Sequence, residues 1–480
     1  MAATGDASSE PDLGRDPAAM HEWTPGQELL AHTVIGFAIE RLHLSKDPRW
    51  GARSAADLER ELTGVVSETG IGGVEALRLF REVLLPACRP LDDPMMLSYV
   101  PGAPSVAATL FDLVVSACSV FAGHWESGAG AIAAENQALR WLADLAGFPP
   151  QAAGVFVSGG SAANLSALVT ARHVAAQGRD RPARWRVAVS DAAHASVDAA
   201  ARVMDVDVVR VAVDDADRMT ADALRQALDA DPAAGDGVFA VVASAGTTNA
   251  GAVDDLAGLA QVCAERDLWL HVDGAYGGAA LCAPSARPAL AGIERADSFG
   301  VDPHKWLFVP YDCAALVYRD PASAVAAHAQ HGAYLDGIDR GESNPADLAF
   351  HLSRRARGLP LWFALATYGT DAYRAAVEAS LATARWFAAE VARRPALELV
   401  IEPELSVVLF RRRGWTADDC WVWSATRAKE GIALVVPTTW RGEAVLRVCI
   451  TNPRTTADHL ALLLDDIERH PGAAAEAGFS

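Results

Sequence analysis

Between residues 106 and 320, short apolar runs alternate with helical stretches, and this alternation constrains the fold more than any other feature. Val155-Phe156-Val157 reads as a buried strand, followed by Ser158-Gly159-Gly160-Ser161 and a helix over residues 162–176. Further strands are expected over residues 186–189, 206–211, 238–243, 269–272, 298–301 and 314–318, with helices such as 256–266 between several of them. Apolar strands separated by helices predict an α/β fold with a mainly parallel sheet covered on both faces. This large domain is assigned to residues 106–358. Ahead of it, Leu29, Leu30, Val34, Phe37, Ala38 and Leu42 recur at helical spacing after Pro25, and two more helices are expected over 54–62 and 74–84. The segment 21–105 is too short to bury much by itself and is expected to pack on a partner subunit. Residues 1–20 are small, polar and proline-bearing, and are expected to be a disordered tail. Residues 359–480 contain a predicted helix over 361–393, strand-like runs at 406–410 and 445–450 and a final helix, which makes a smaller α+β domain. No internal repeat is found.

Several function classes can be set aside. A net charge of −20 argues against nucleic acid as a partner. The seven cysteines form no C-x-x-C pair and read as reduced, mostly buried thiols rather than a disulfide framework. No apolar h-region follows a basic start, and no uncharged run reaches membrane-span length. The expectation is a cytoplasmic protein without a membrane partner.

Lysine is nearly absent, occurring only at positions 46, 305 and 429. Lys305 lies in the apolar stretch Asp302-Pro303-His304-Lys305-Trp306-Leu307-Phe308-Val309-Pro310. Arginine cannot replace lysine where an amine must lose its proton and attack a carbonyl, so Lys305 is the candidate Schiff-base nucleophile. The bland alternative is a lysine snorkelling at a strand end. Four other features fall at predicted strand ends, where α/β sheets bind ligands. Ser158-Gly159-Gly160-Ser161 offers close backbone approach and helix-start amides suited to a phosphate, or is a plain tight turn. It matches neither G-x-G-x-x-G nor the Walker pattern. Asp273 ends an apolar strand and could cap a helix, bind a metal or hold a cationic ring nitrogen. Thirty-two residues separate it from Lys305, room for a helix and a further strand that bring both to one sheet edge. His194 follows the strand at 186–189, and Gly246-Thr247-Thr248-Asn249 follows that at 238–243; each is ordinarily a structural residue or a polar turn. Together these supply a phosphate cradle, a stacking side chain, a carboxylate and a nucleophilic amine, which match the needs of pyridoxal 5′-phosphate (PLP).

In Ser158-Gly159-Gly160-Ser161, Ala193-His194, Gly246-Thr247-Thr248, His271-Val272-Asp273-Gly274-Ala275-Tyr276 and Asp302-Pro303-His304-Lys305-Trp306, the chain resembles the group II PLP-dependent amino-acid decarboxylases, the family of aromatic-L-amino-acid decarboxylase. The resemblance covers residues 94–363 and, more loosely, the remainder. It implies the aspartate-aminotransferase-like PLP-dependent transferase fold, PLP as cofactor with no metal, a homodimer with its site at the interface, and decarboxylation of an L-amino acid, aromatic substrates being favoured. By resemblance, Lys305 carries the cofactor, Asp273 partners the pyridinium and His194 stacks on the ring facing the substrate carboxylate. Thr248 and Ala275 are further ring contacts, and Gly160, Ser161 and His304 hold the phosphate. Asp302 stands where many relatives have asparagine; beside a phosphate its side chain is expected to turn away or pair with an arginine. Tyr334, in a glycine- and aspartate-rich loop, resembles the tyrosine that protonates the substrate carbon, a position where phenylalanine accompanies aldehyde formation. Tyr99-Val100-Pro101 and Trp125 are the substrate-side residues. Val100 and Gly123 stand where relatives often carry aromatics, which implies a wider or differently shaped pocket. Ser353, beside Arg354-Arg355-Ala356-Arg357, resembles an interface residue reaching the partner's phosphate, although the arginines also read as a solvated face or as interface ion pairs.

Two other readings remain open at this stage. One keeps the cofactor but yields an aldehyde, a transamination or carbon–carbon cleavage. The other is a non-catalytic PLP-binding or scaffold protein, against which the intact set Lys305, Asp273, His194 and Tyr334 argues.

Overall fold

Seven strands build the large sheet of the computed structural model, which describes residues 19–43, 49–178, 180–230, 237–330, 332 and 341–470. They are β1 (Ala153–Val157), β2 (Arg186–Ser190), β3 (Asp207–Val211), β4 (Val238–Ser244), β5 (Trp269–Asp273), β6 (Ser298–Val301) and β7 (Ala314–Tyr318). Their order is β1-β7-β6-β5-β4-β2-β3. The pairs β2–β3, β2–β4, β4–β5 and β5–β6 are parallel, and β7 alone runs against both neighbours. Every residue of β4 is buried, as a strand covered on both faces requires. The helix Gly160–Gly178 packs across β1 and β4 to β7, so its first residues lie beside the carboxyl end of β1.

Four further strands, β8 (Leu397–Leu399), β9 (Val407–Arg412), β10 (Thr438–Trp440) and β11 (Glu443–Cys449), form an antiparallel sheet in the order β10-β11-β9-β8. Helices Thr370–Arg393, Ala417–Glu430 and Ala457–Arg469 enclose its core, which includes Phe387, Phe410, Trp423 and Leu463. The chain as a whole is α/β with this smaller α+β part at its end.

The helix expected over 361–393 is two, Leu359–Tyr368 and Thr370–Arg393, because Gly369 takes φ 75°, outside the helical region and open to glycine. Two helices, Val106–Cys118 and Trp125–Leu145, precede β1 where strand–helix alternation was expected to begin. The link from β5 to β6 holds three short 3-10 turns, Gly277–Cys282, Arg287–Leu290 and Ile293–Arg295, instead of a helix. Gly277-Gly278, Pro284 and Pro288 leave no uninterrupted helical run there.

The arginine-rich segment is not a solvated face. Arg354 is fully buried and forks onto Glu135, with Nη1–Oε2 at 2.7 Å and Nη2–Oε1 at 2.9 Å. The Gly358 amide donates to Glu135 Oε1 at 2.8 Å and Arg354 Nη1 to the Ala122 carbonyl at 2.7 Å. Arg355 and Arg357 pair with Asp112 and Asp312.

The chain divides into two compact units, residues 1–90 and 91–480, the sheets belonging to the second. In the first unit, helix Pro25–His43 meets the stretch after Gly73–Leu79 through an edge-on Phe37–Phe80 contact at 6.3 Å. Ser54 caps helix Ala55–Leu62 by accepting the Asp57 amide. Helix Pro25–His43 buries none of its residues. The expected tail falls almost wholly in residues 1–18, outside the described residues. No described helix is long and apolar enough to cross a membrane.

Candidate active site

A pocket of about 450 Å³ opens at the carboxyl ends of β4, β5 and β6. The parallel register of β5 and β6, with Asp273 opposite Gly300, brings Asp273 and the residues just after β6 to the same sheet edge. Lys305 sits there on the single turn Pro303–Trp306. Asp273, Lys305, His194, Gly160, Ser161, Thr248, Ala275, His304, Tyr99 and Val100 all line this pocket. Pro101, Trp125 and Ser353 do not appear in its wall within one chain; Trp125 packs instead beside the apolar cluster of Val115, Ala122, Ile132 and Ala356. Tyr334 lies outside the described residues. Gly123 is not in the wall of this pocket within one chain, and a side chain there would meet the Leu352 carbonyl and the Phe121 ring, each 2.6 Å from its Cβ position.

Asp302 neither turns away nor finds an arginine. Its Oδ2 lies 2.8 Å from Lys305 Nζ and 3.6 Å from His304 Nε2, and its buried Oδ1 has no hydrogen-bond partner among the described residues. Three residues apart across one helical turn, Asp302 and Lys305 are brought face to face by the local backbone. Burial opposes the charge on Lys305, but the Asp302 carboxylate and its hydrogen bond outweigh it and hold the amine's pKa above the ordinary value. His304 moves the other way: burial lowers its pKa against the pull of Asp302, and its Nδ1 accepts the Cys313 amide at 3.1 Å.

Asp273 accepts from Asn164 Nδ2 at 2.8 Å and from the Ala275 amide at 3.1 Å. His194 Nδ1 takes the Ser196 amide at 3.1 Å and lies 2.8 Å from Ser196 Oγ. Asn164, Ser196, Tyr276 and Tyr311 were not singled out in the sequence. Asn164 reads as helix interior, although it follows Gly160 by one turn and so shares its face; Ser196 reads as part of the segment after the strand at 186–189.

The residues present fit PLP. Helix Gly160–Gly178 turns its amino end, where first-turn amides lack intrahelical acceptors, to the pocket. At Gly160 a Cβ would lie 3.0 Å from Ala275 Cβ and 3.3 Å from Asp302, so any side chain there would crowd the cradle. A carboxylate and an amine stand beyond it in a volume typical of cofactor sites.

Residues 76–413 match the model of the pyridoxal-dependent decarboxylase conserved domain. The chain belongs to the pyridoxal-dependent decarboxylase family. It is 32% identical over 453 residues to aromatic-L-amino-acid decarboxylase of Bacillus atrophaeus, covering 92% of this chain and 94% of that protein. Histidine decarboxylase of Rattus norvegicus is 30% identical over 401 residues, covering 79% of this chain and 61% of the relative. Among solved structures, Oryza sativa TDC with PLP and tryptamine superposes with a TM-score of 0.87 at 26% identity, covering 93% of this chain and 99% of that one. Rhodiola rosea 4-hydroxyphenylacetaldehyde synthase, at 24% identity and a TM-score of 0.84, shares the fold over 97% of this chain and 100% of its own. As a family member the chain is a PLP-dependent carboxy-lyase that decarboxylates an amino acid.

His271, one residue before Val272 on β5, is fully buried between Asn164 and Ser298. Burial pushes its pKa down to about 4, against the pull of Asp273. A histidine with a depressed folded pKa contributes stability that is present above its unfolded value near 6.5 and is lost as pH falls toward 4. His271→Gln is therefore expected to flatten the decline of unfolding free energy over that window, as read by urea denaturation at several pH values. An unchanged slope would contradict the burial of a neutral imidazole.

Proposed function

We propose that this decarboxylase acts on an aromatic L-amino acid and releases the amine and carbon dioxide, with Lys305 as the residue that carries the cofactor. The observation that carries this reading is the opening of Lys305, Asp273 and His194 into one pocket at the amino end of helix Gly160–Gly178. Gly160, Ser161 and His304 would hold the phosphate, Asp273 the ring nitrogen, and His194, Thr248 and Ala275 the ring. Bound there, PLP supplies the electron sink that takes up the pair left when carbon dioxide departs. Lys305 Nζ would hold the cofactor at its aldehyde carbon. Asp273 would keep a proton on the ring nitrogen, and His194 would lie against the ring and face the substrate carboxylate. Tyr99 and Val100 supply the substrate side of the wall, and Pro101 and Trp125 would join them as substrate-side residues only in the assembled dimer. Tyr334 delivers a proton to the substrate Cα, so that an amine and not an aldehyde is released. The aromatic preference rests on relatives named as aromatic-L-amino-acid decarboxylases.

The working unit in this reading is a homodimer, with Ser353 directed to the partner's phosphate. Its support is an apolar groove of about 500 Å³ lined by Phe111, Val114, Val115, Val120 and Trp362, flanked by exposed Leu110 and Leu113. Leu29, Val34, Ile35 and Ile39 are likewise exposed on helix Pro25–His43. The compartment is the cytoplasm, consistent with seven free cysteines. The proposal is tested by reducing the PLP-loaded protein with borohydride and mapping the labelled peptide. Label on Lys305 is expected, and label on Lys46 or Lys429 would overturn the assignment.

A further inference from the structure

Behind the pocket wall runs a chain of hydrogen-bonded side chains, most of them buried, that leads to Asp273 and His194 through residues with no role of their own in the proposed reaction. Trp269 Nε1 lies 2.9 Å from Ser298 Oγ, Ser298 Oγ 2.9 Å from His271 Nδ1, and His271 Nε2 3.0 Å from Asn164 Oδ1. Asn164 Nδ2 then reaches both Asp273 Oδ2 at 2.8 Å and Ser196 Oγ at 2.9 Å. Ser196 in turn meets His194 Nδ1.

The proton order in this chain follows from its ends. A carboxylate only accepts, so the amide nitrogen of Asn164 and not its oxygen faces Asp273. Asn164 Oδ1 is thereby left for His271, whose Nε2 must carry the hydrogen. The neutral ring then accepts at Nδ1, Ser298 donates its hydroxyl hydrogen there, and its oxygen accepts from the donor-only indole of Trp269. On the other arm, Ser196 Oγ accepts from Asn164, and the Ser196 amide donates to His194 Nδ1. That nitrogen is therefore unprotonated and the neutral His194 ring has its hydrogen on Nε2. Asn164 is 1% exposed, and all of its amide groups are engaged, two of them by residues of the pocket wall or their immediate support. Asparagine in a helix interior is otherwise unfavourable.

We propose that Asn164 is a positioning residue that locks the Asp273 carboxylate and the His194 ring into one unit. One amide hydrogen aims Asp273 at the cofactor ring nitrogen. The other, through Ser196, sets His194 with Nε2–H free for an anionic group of the substrate. Ser298 acts at a distance: its hydroxyl, donating to Nδ1, holds the His271 hydrogen on Nε2, and without it the ring supports the Asn164 orientation that Asp273 sets less firmly. This inference rests on the cofactor roles proposed above.

The test uses full-length PLP-loaded protein and the variants Asn164→Asp and Ser298→Ala, reading the acid limb of the pH profile of kcat/KM and the PLP dissociation constant. Asn164→Asp places a second carboxylate against Asp273, and two carboxylates sharing a site cannot both stay ionised. The acid limb is expected to move up by about one unit or more and PLP to bind about tenfold more weakly. Ser298→Ala, which does not line the pocket, is expected to move the limb in the same direction by a smaller amount. A folded Asn164→Asp protein with both quantities at wild-type values would overturn the proposal, since a purely structural asparagine would alter melting temperature and not the limb. Should Asn164→Asp fail to fold, Ser298→Ala decides: a shifted limb supports the coupling and an unmoved one overturns it. A wild-type protein that binds no PLP and makes no amine would overturn the proposed function instead.

Discussion

Lys305→Arg is expected to fold, keep its ion pair with Asp302 and lose amine formation by on the order of 10³-fold or more. The pair at 2.8 Å asks only for a cation, and a guanidinium meets that need at least as well as an ammonium. The chemistry asks for a nitrogen that can give up its proton, which arginine cannot do at any accessible pH. Arginine thus separates the two roles of the position more cleanly than alanine, which would remove the amine and leave Asp302 buried without its partner. Product quantified by mass spectrometry, with circular dichroism as a control for folding, distinguishes them. Activity within a few-fold of wild type would mean that the covalent link to the cofactor lies elsewhere.

Glu135→Ala is expected to cost about 3–5 kcal/mol of unfolding free energy, the usual consequence of leaving one member of a buried ion pair alone. Arg354 is fully buried and Glu135 is 2% exposed, so the stranded guanidinium has no solvent to turn to. Glu135 also takes the Gly358 amide, and with Arg354 it pins residues 353–358 against helix Trp125–Leu145. Replacing both partners with apolar residues of similar size, Glu135→Leu with Arg354→Met, is expected to be far milder than either single change, because no charge is then buried alone. Urea denaturation of the three proteins checks this. Equal losses for the single and double variants would show that the pair contributes through shape alone.

Much of the large sheet was legible because most of its strands are buried on both faces and read as apolar runs. β6 and β7 fall where the sequence places them, and β5 is one residue longer, ending on Asp273 itself. The site was legible for the same reason: polar residues closing apolar strands have no packing role, and the sheet gathers them at one edge. Gly369 escaped notice inside a strongly periodic helix, and the three-residue strand β10 is too short for its alternation to show. Asn164 was hidden because what it touches is 32 to 109 residues away in sequence. The orientation of Asp302 does not follow from repulsion by a phosphate, because the Lys305 amine one helical turn away holds its carboxylate. The arginines of 354–357 look alike in sequence, and only the fold buries Arg354 against Glu135.

The central claim is that this pocket removes carbon dioxide from an L-amino acid. The most direct measurement incubates PLP-loaded protein with a mixture of L-amino acids and identifies the products by mass spectrometry. A single aromatic amine, absent with Lys305→Arg, is the predicted result. Aldehyde with hydrogen peroxide, or a keto acid, appearing in place of amine would contradict the account.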